Sequence, residues 1–284
     1  MATALEINEP LLRRRPLPRP GDGKEERGRL LILAGSTELP GAAFLAGDAA
    51  LRAGAGKLFV ATAPVGIIAL GMALPEARIA ALPERPRRLL FEERDALVIG
   101  PGMDSRAAIR WADTALSHVD LPLLLDAAAL EKLWSNPRLR RRRDRGGGNA
   151  CIVTPNGGEL AAMMGRDRQA IMDDPLGAAI EAATRLGVIV VLKAAATTVV
   201  ATAGTELFFH HARIPGLAVS GSGDVLSGLI GGLLARGAPA VDACLWGVWL
   251  HAQAGKRMAA RQGGIGYRAA ELAKEVPILM DGMR

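Results

Sequence analysis

One segment carries more chemical content than any other, Leu217-Ala-Val-Ser-Gly-Ser-Gly-Asp-Val-Leu-Ser-Gly-Leu229. Gly221, Ser222 and Gly223 let backbone approach an anion with little side chain in the way, and the apolar run behind them opens a helix. Free N–H groups at a helix N-terminus, with the helix dipole, form a ready anion site. Asp224 falls in the first turn of that helix. A carboxylate beside a phosphate is repulsive unless a proton or metal intervenes, so this placement suits a base for a hydroxyl nucleophile. Ser-Gly-Asp is also ordinary N-capping chemistry, and the segment alone leaves both readings open.

Such a loop needs a scaffold. Short, nearly continuous apolar runs at Leu30–Ala34, Leu58–Ala61, Ala96–Gly100, Pro122–Leu125, Ala150–Val153 and Val188–Leu192 read as strands covered on both faces. Between them lie helix-length stretches such as Gly41–Gly54, Ala107–Ser117, Gly158–Met164 and Pro175–Leu186. The alternation predicts an α/β fold, a mostly parallel central sheet with helices on both faces in three layers. Thr198–Phe209, with a turn at Ala203-Gly204, reads as a hairpin near the sheet edge, and apolar helices follow to about Ala235 and from Val241 to Arg261. Residues 1–28 read as an N-terminal arm and 29–284 as one domain. Gly35-Ser36, Gly100-Pro-Gly102, Thr154-Pro155-Asn156-Gly-Gly-Glu159 and Lys193-Ala-Ala-Ala-Thr197 each follow a predicted strand, where ligands bind in open α/β sheets.

Composition narrows the classes. Half of the 284 residues are apolar, aromatics are 4%, and there are 34 glycines. That is ample core, few rings for stacking bases, and many close backbone approaches. The net charge of +6 is local: Arg138–Arg145 contributes +5 and the first 29 residues +2, leaving the body at −1. The arginine run reads as a solvated surface loop, with a patch for phosphorylated ligands or RNA as the alternative. Cys151 and Cys244 form no metal or disulfide pattern and read as buried free thiols of a reducing compartment. No apolar run is long enough to span a bilayer and no signal segment follows the arginines at 13–15, so a cytoplasmic location is expected, without membrane or nucleic-acid partners.

Taken in order, Gly-Ser…Gly-Ala, Ala-Leu-Arg-Ala-Gly-Ala-Gly ending at Gly56, Gly-Pro-Gly, Leu-Asp-Ala at 125–127, Thr-Pro-x-x-Gly-Glu, Leu-Lys and Gly-Ser-Gly-Asp-Val-Leu resemble the ADP/ATP-dependent NAD(P)H-hydrate dehydratases of the ribokinase-like superfamily, from about Gly28 to Arg261. The resemblance implies a metabolite-repair lyase that dehydrates the hydrates of NADH and NADPH at the expense of ADP, giving AMP and phosphate, with ATP as the other candidate nucleotide. With 28 residues before Arg29, it is to single-domain bacterial members. It implies Asp224 as the base at the C6 hydroxyl, Gly221, Ser222 and Gly223 as an anion hole, and Lys193, Ala194, Ala195, Ala196, Thr197 and Gly223 as the nucleotide site. Ala42, Gly102, Asn156 and Asp224 are implied in the hydrate pocket, and Glu159 in holding Mg2+ through water. Glu159 also suits a helix N-terminal acid. A homo-oligomer, a tetramer, is implied too.

Several positions depart from the family pattern. Asn156 stands where a histidine is common, Ala128 where a second aspartate follows Asp126, and Ala194 where glycine is usual. His210-His-Ala-Arg-Ile-Pro215 replaces an Asn/Thr/Gly-rich stretch. Adjacent His210 and His211 would point to opposite faces of a strand, against a shared metal site. His251 on its apolar helix reads as a satisfied structural histidine, and Trp246 and Trp249 as core or subunit interface. The third glycine of a dinucleotide-binding fingerprint is missing after Gly223, which disfavours a classical NAD dehydrogenase. The competing functions are a small-molecule kinase of the same fold and a basic nucleic-acid-binding protein.

Overall fold

Residues that alternate along each central strand go to two different cores. Leu31, Leu33, Leu97, Ile99, Leu123 and Leu125 bury on one face of the sheet, and Leu30, Ile32, Ala96, Val98 and Leu124 on the other. With both faces covered, the strands read as unbroken apolar runs. The structure is a computed structural model that describes residues 3–19, 21–144, 151–194, 196–203 and 206–283.

In chain order the strands are Leu5–Glu6 (β1), Arg29–Leu33 (β2), Lys57–Thr62 (β3), Arg78–Ala81 (β4), Ala96–Ile99 (β5), Leu123–Leu125 (β6), Cys151–Val153 (β7), Ile189–Lys193 (β8), Thr197–Ala201 (β9) and Leu207–His211 (β10). They form one sheet in the order β1-β10-β9-β8-β7-β6-β5-β2-β3-β4. From β4 to β8 every neighbouring pair is parallel. β8, β9 and β10 then run antiparallel, and β1 closes that edge in parallel with β10.

The helices are Glu9–Arg13 (α1), Gly41–Arg52 (α2), Ile67–Ala73 (α3), Ser105–His118 (α4), Pro137–Asp144 (α5), Gly157–Met164 (α6), Arg168–Asp173 (α7), Pro175–Leu186 (α8), Ser222–Ala235 (α9), Ala240–Gln262 (α10) and Ala269–Asp281 (α11). Helices α2, α9, α10 and α11 cover one face and α4, α6 and α8 the other. This is the expected three-layer α/β arrangement. Chain order reverses between β2 and β5, and the parallel strands end together on one edge, so the loops after β2, β5, β6, β7 and β8 gather at a topological switch point.

Helix α9 is seated by small residues. A Cβ on Gly228 would lie 2.1 Å from the Ala46 carbonyl oxygen, and one on Gly232 2.5 Å from that of Ala50, so α9 and α2 pack nearly backbone to backbone. Gly221 meets Leu45 at the same end, which brings both helix N-termini to the switch-point edge.

Three regions differ from the sequence reading or extend it. The arm holds β1 and α1: Leu11 and Leu12 are buried, Asn8 caps α1, and the Trp246 indole donates to the Arg15 carbonyl at 2.8 Å. The arginine run, expected as a loop, is α5 as far as Asp144; Arg145 lies outside the described residues. Arg142 is 4% exposed and donates to the Val119 and Leu121 carbonyls just beyond α4. The hairpin is β9–β10 as expected, while Gly204 of its turn lies outside the described residues.

Candidate functional site

Helix α9 starts without a side-chain cap. Its N-cap is Gly221, whose φ of 89° is the left-handed conformation that glycine tolerates best, and the Ser222 N–H is spent on the Val219 carbonyl. Among the described residues the N–H groups of Gly223 and Asp224 donate to no protein group. The capping reading of the Ser-Gly-Asp segment is therefore not realised, and the loop presents bare donors, as an anion site requires.

Asp224 lies in the first turn, half-buried. Burial raises its carboxyl, the nearby Asp126 charge adds to this, and Lys193 offsets part of it; the result is a pKa pushed up to about 6. Asp126, immediately after β6, is 2% exposed. Its Oδ1 accepts from the Lys193 Nζ at 3.0 Å and its Oδ2 from the Ser227 hydroxyl at 2.7 Å, one turn beyond Asp224 on α9. The Asp126 backbone is closely confined, for a Cβ on Gly100 would stand 1.9 Å from its carbonyl oxygen. Ala127 after it has a φ of 47°, a strained value for a residue with a side chain.

Lys193 ends β8. Burial opposes its charge, but the carboxylates of Asp126, Glu159 and Asp224 outweigh that and hold the ammonium above its ordinary range. Its Nζ lies 3.2 Å from where a Cβ on Gly223 would be, directly beside the anion loop. Asn156 caps α6, accepting from the Gly158 and Glu159 N–H groups, while the Glu159 carboxylate accepts from the Asn156 N–H at 2.7 Å. Glu159 is thus a helix N-terminal acid. Its carboxyl is raised by burial and lowered in part by Lys193.

Asn156, Lys193, Ala194, Thr197, Gly223 and His251 line a cavity of about 520 Å³, while Asp126, Glu159 and Asp224 are not among its wall residues. The structure therefore brings together the Lys193–Thr197 turn, closed by the Ala194 N–H on the Thr197 carbonyl at 3.1 Å, and the anion loop. Ala196 lies in the same turn, accepting from the Ala212 N–H; Ala195 lies outside the described residues. Ala42 and Gly102 are not on this wall. They touch each other at the start of α2, where a Cβ on Gly102 would fall 2.4 Å from that of Ala42. Asn156 faces the cavity with Lys193, to which it is joined by a parallel bridge.

The histidines separate. His210 is buried and pairs through Nδ1 with the Ile7 carbonyl, while the exposed His211 pairs with the Thr197 hydroxyl at 3.0 Å, so the two share no metal site. His251 is satisfied, as expected, and its partner is at the start of α9: its Nε2 is 2.9 Å from the Ser222 Oγ and 3.0 Å from the Ser222 carbonyl oxygen. Burial drives its pKa down to about 4, so a neutral imidazole braces the anion loop from behind. Asp126 and His251 are the site residues that motif reading did not assign a role. Leu-Asp-Ala was visible as a motif, but only three-dimensional proximity shows what its carboxylate touches. Trp246 and Trp249 pack edge to face in the core, 6.0 Å between ring centres.

The fold and site define a ribokinase-like α/β protein with an uncapped helix N-terminus at its centre. A ribokinase-like superfamily protein from Enterococcus faecalis, 23% identical, has the same fold, with a TM-score of 0.80 over 99% of this chain and 96% of that one. A model of the NAD(P)H-hydrate dehydratase family matches residues 30–278, and the chain belongs to that family. It is 43% identical to an ADP-dependent (S)-NAD(P)H-hydrate dehydratase of Xanthomonas campestris pv. campestris, covering 95% of this chain and 94% of that protein. It also resembles the ADP/ATP-dependent NAD(P)H-hydrate dehydratase of Bacillus subtilis, co-crystallised with ATP/Mg2+: 28% identity and a TM-score of 0.86 over the whole of both chains.

Proposed function

We propose that this chain dehydrates the (6S) hydrate of NADH or NADPH, consuming ADP and releasing AMP and phosphate. The observation that carries the reading is Asp224, a carboxylate pushed to about 6 beside two unpaired N–H groups. A base works best with a pKa near the operating pH, and this one is ionised at neutrality while keeping appreciable basicity.

In this reading Asp224 takes the proton from the C6 hydroxyl, and the oxygen attacks the terminal phosphorus of ADP. The bond from that phosphorus to the bridging oxygen breaks and AMP departs. The C6–O bond then breaks, phosphate leaving with the electron pair as the ring nitrogen donates its own. Loss of a proton from C5 completes the ring double bond. The N–H groups of Gly223 and Asp224 face the charge that develops on the transferred group, and such donors are worth a few kcal/mol each. The nucleotide occupies the cavity beside Lys193, Ala194, Ala195, Ala196, Thr197 and Gly223. The nicotinamide ring lies toward Asp224, Ala42, Gly102 and Asn156.

The residues suit Mg2+ held through water. Among the described residues no three His, Cys, Asp or Glu side chains cluster as a metal cage, whereas Glu159, in the first turn of α6 near Lys193, keeps one carboxylate oxygen free of hydrogen bonds. Mg2+ on nucleotides typically retains waters and takes one or two carboxylates. Bound there, it would neutralise charge on the terminal phosphate. The same reading makes residues 29–284 one catalytic unit and the protein a homo-oligomer, a tetramer. It also places the chain in a reducing cytoplasm, where its buried Cys151 and Cys244 stay free. Among the described residues no helix is long and apolar enough to cross a membrane.

Product stoichiometry tests the reaction. One AMP and one phosphate should form for each reduced ring recovered from hydrated NADH and ADP. Accumulation of a phosphorylated hydrate without ring recovery would make the chain a kinase.

A further inference from the structure

Lys193 has three N–H bonds, and among the described residues Asp126 is the one hydrogen-bond partner of its ammonium. Two donors remain at the cavity wall, beside Gly223. Asp126 is fixed from three sides: by the Ser227 hydroxyl on α9, by the Gly100 backbone, and by its own N–H on the Ile99 carbonyl at 3.0 Å. A buried ion pair roughly breaks even in stability against its desolvation, so stability alone does not explain a carboxylate held this firmly at 2% exposure. Without it, Lys193 would have Asp224 and Glu159 as its remaining carboxylate neighbours.

We propose that Asp126, anchored by Ser227, is a positioning residue that holds the Lys193 ammonium at the anion loop, where it meets the terminal phosphate of the nucleotide, and keeps it from pairing with Asp224. The inference rests on the phosphoryl-transfer reading above. The charged groups facing Asp224 are Asp126 from the end of β6 and Lys193 from the end of β8. From α10 comes the neutral His251 behind Ser222, and α2 and α11 bring Leu45 and Ala269 to the loop. Asp126 therefore governs both charges that act on the reacting group: it orients one and is the other.

The test begins with the wild-type protein, hydrated NADH and ADP. If no reduced ring is recovered, the reaction assignment fails by itself. With an active wild type, Asp126→Asn should lower kcat on the order of 100-fold while the Kd for AMP, which lacks the transferred phosphate, changes less than about threefold. The acid limb of kcat/KM against pH should move to lower pH, since a like charge is removed and Lys193 is released toward Asp224. Lys193→Ala should lose a similar factor, and Asp126→Asn/Lys193→Ala should be little worse than Lys193→Ala alone, the signature of two residues acting as a unit. Ser227→Ala, which leaves both charges in place, should cost several-fold in kcat at unchanged AMP affinity, and it serves as the test if Asp126→Asn does not fold. Losses that multiply in the double variant, an unmoved acid limb in Asp126→Asn, or wild-type kcat in Ser227→Ala would each overturn the proposal.

Discussion

Two regions of this molecule concentrate charge, and they use it in opposite ways. The helix Pro137–Asp144 holds five of the six arginines that make the sequence look basic. Arg138 there pairs with Asp113 at 3.1 Å while 44% exposed, in a setting where ion pairs are worth little. At the switch-point edge, three charges far apart in the chain, Asp126, Lys193 and Asp224, meet under cover with few compensating partners. There Asp126 raises the Asp224 carboxyl and Lys193 lowers it, because interaction energy grows as water is excluded. Charge counts describe the first region well; burial and partner geometry decide the second.

Removing one positive charge from each region sharpens the contrast most. Lys193→Ala should cut kcat on the order of 100-fold, whereas Arg140→Ser should leave kcat and KM unchanged, both read from steady-state ring recovery. Equal effects would erase the distinction.

Next in size is the pH response of the buried region. As the proposed base Asp224 would have to be ionised, so kcat/KM should fall about tenfold per pH unit below its pKa of about 6 and level off above it. The folded pKa lies above the ordinary aspartate value of 3.8, so the folded state binds the extra proton between these values, and ionised Asp224 costs stability above about pH 6. Asp224→Asn should therefore be more stable than wild type by an amount that grows from about pH 4 to about pH 7, reaching about 3 kcal/mol at most. A pH-independent difference would show that the carboxyl is not raised.

Within the basic region, Arg142 is the exception, buried on the Val119 and Leu121 carbonyls. Arg142→Ala should cost about 1–3 kcal/mol in denaturant unfolding. Arg141→Ser, on the exposed side of the same helix, should stay within about 0.5 kcal/mol. A salt-dependent affinity for RNA that disappears in Arg140→Ser/Arg141→Ser would instead give the exposed arginines a function.

The central strands and the helices between them were legible because strands buried on both faces announce themselves as apolar runs between helical periods. β1, with two residues, has no period to read, and α1 spans only five. α11 carries Pro277 in its interior, which reads as a breaker, yet it forms against the core through Leu272, Val276 and Leu279. The anion loop was legible because it is contiguous. The link from Asp126 to Lys193 spans 67 residues and the bond from Ser222 to His251 spans 29, and neither leaves a local pattern. The arginine run misled for a related reason: composition shows charge, not what a carbonyl beyond α4 does with one guanidinium.

The proposed reaction requires Asp224 as the base at the anion loop, and one measurement tests that directly. Wild-type protein and Asp224→Asn are given hydrated NADH with ADP near neutral pH, and the return of the reduced-nicotinamide absorbance is followed alongside AMP binding. With Asp224 as the base, the wild type should recover the ring and the variant should lose activity on the order of 100- to 10,000-fold, with AMP still bound. Near-wild-type recovery by Asp224→Asn would contradict that role.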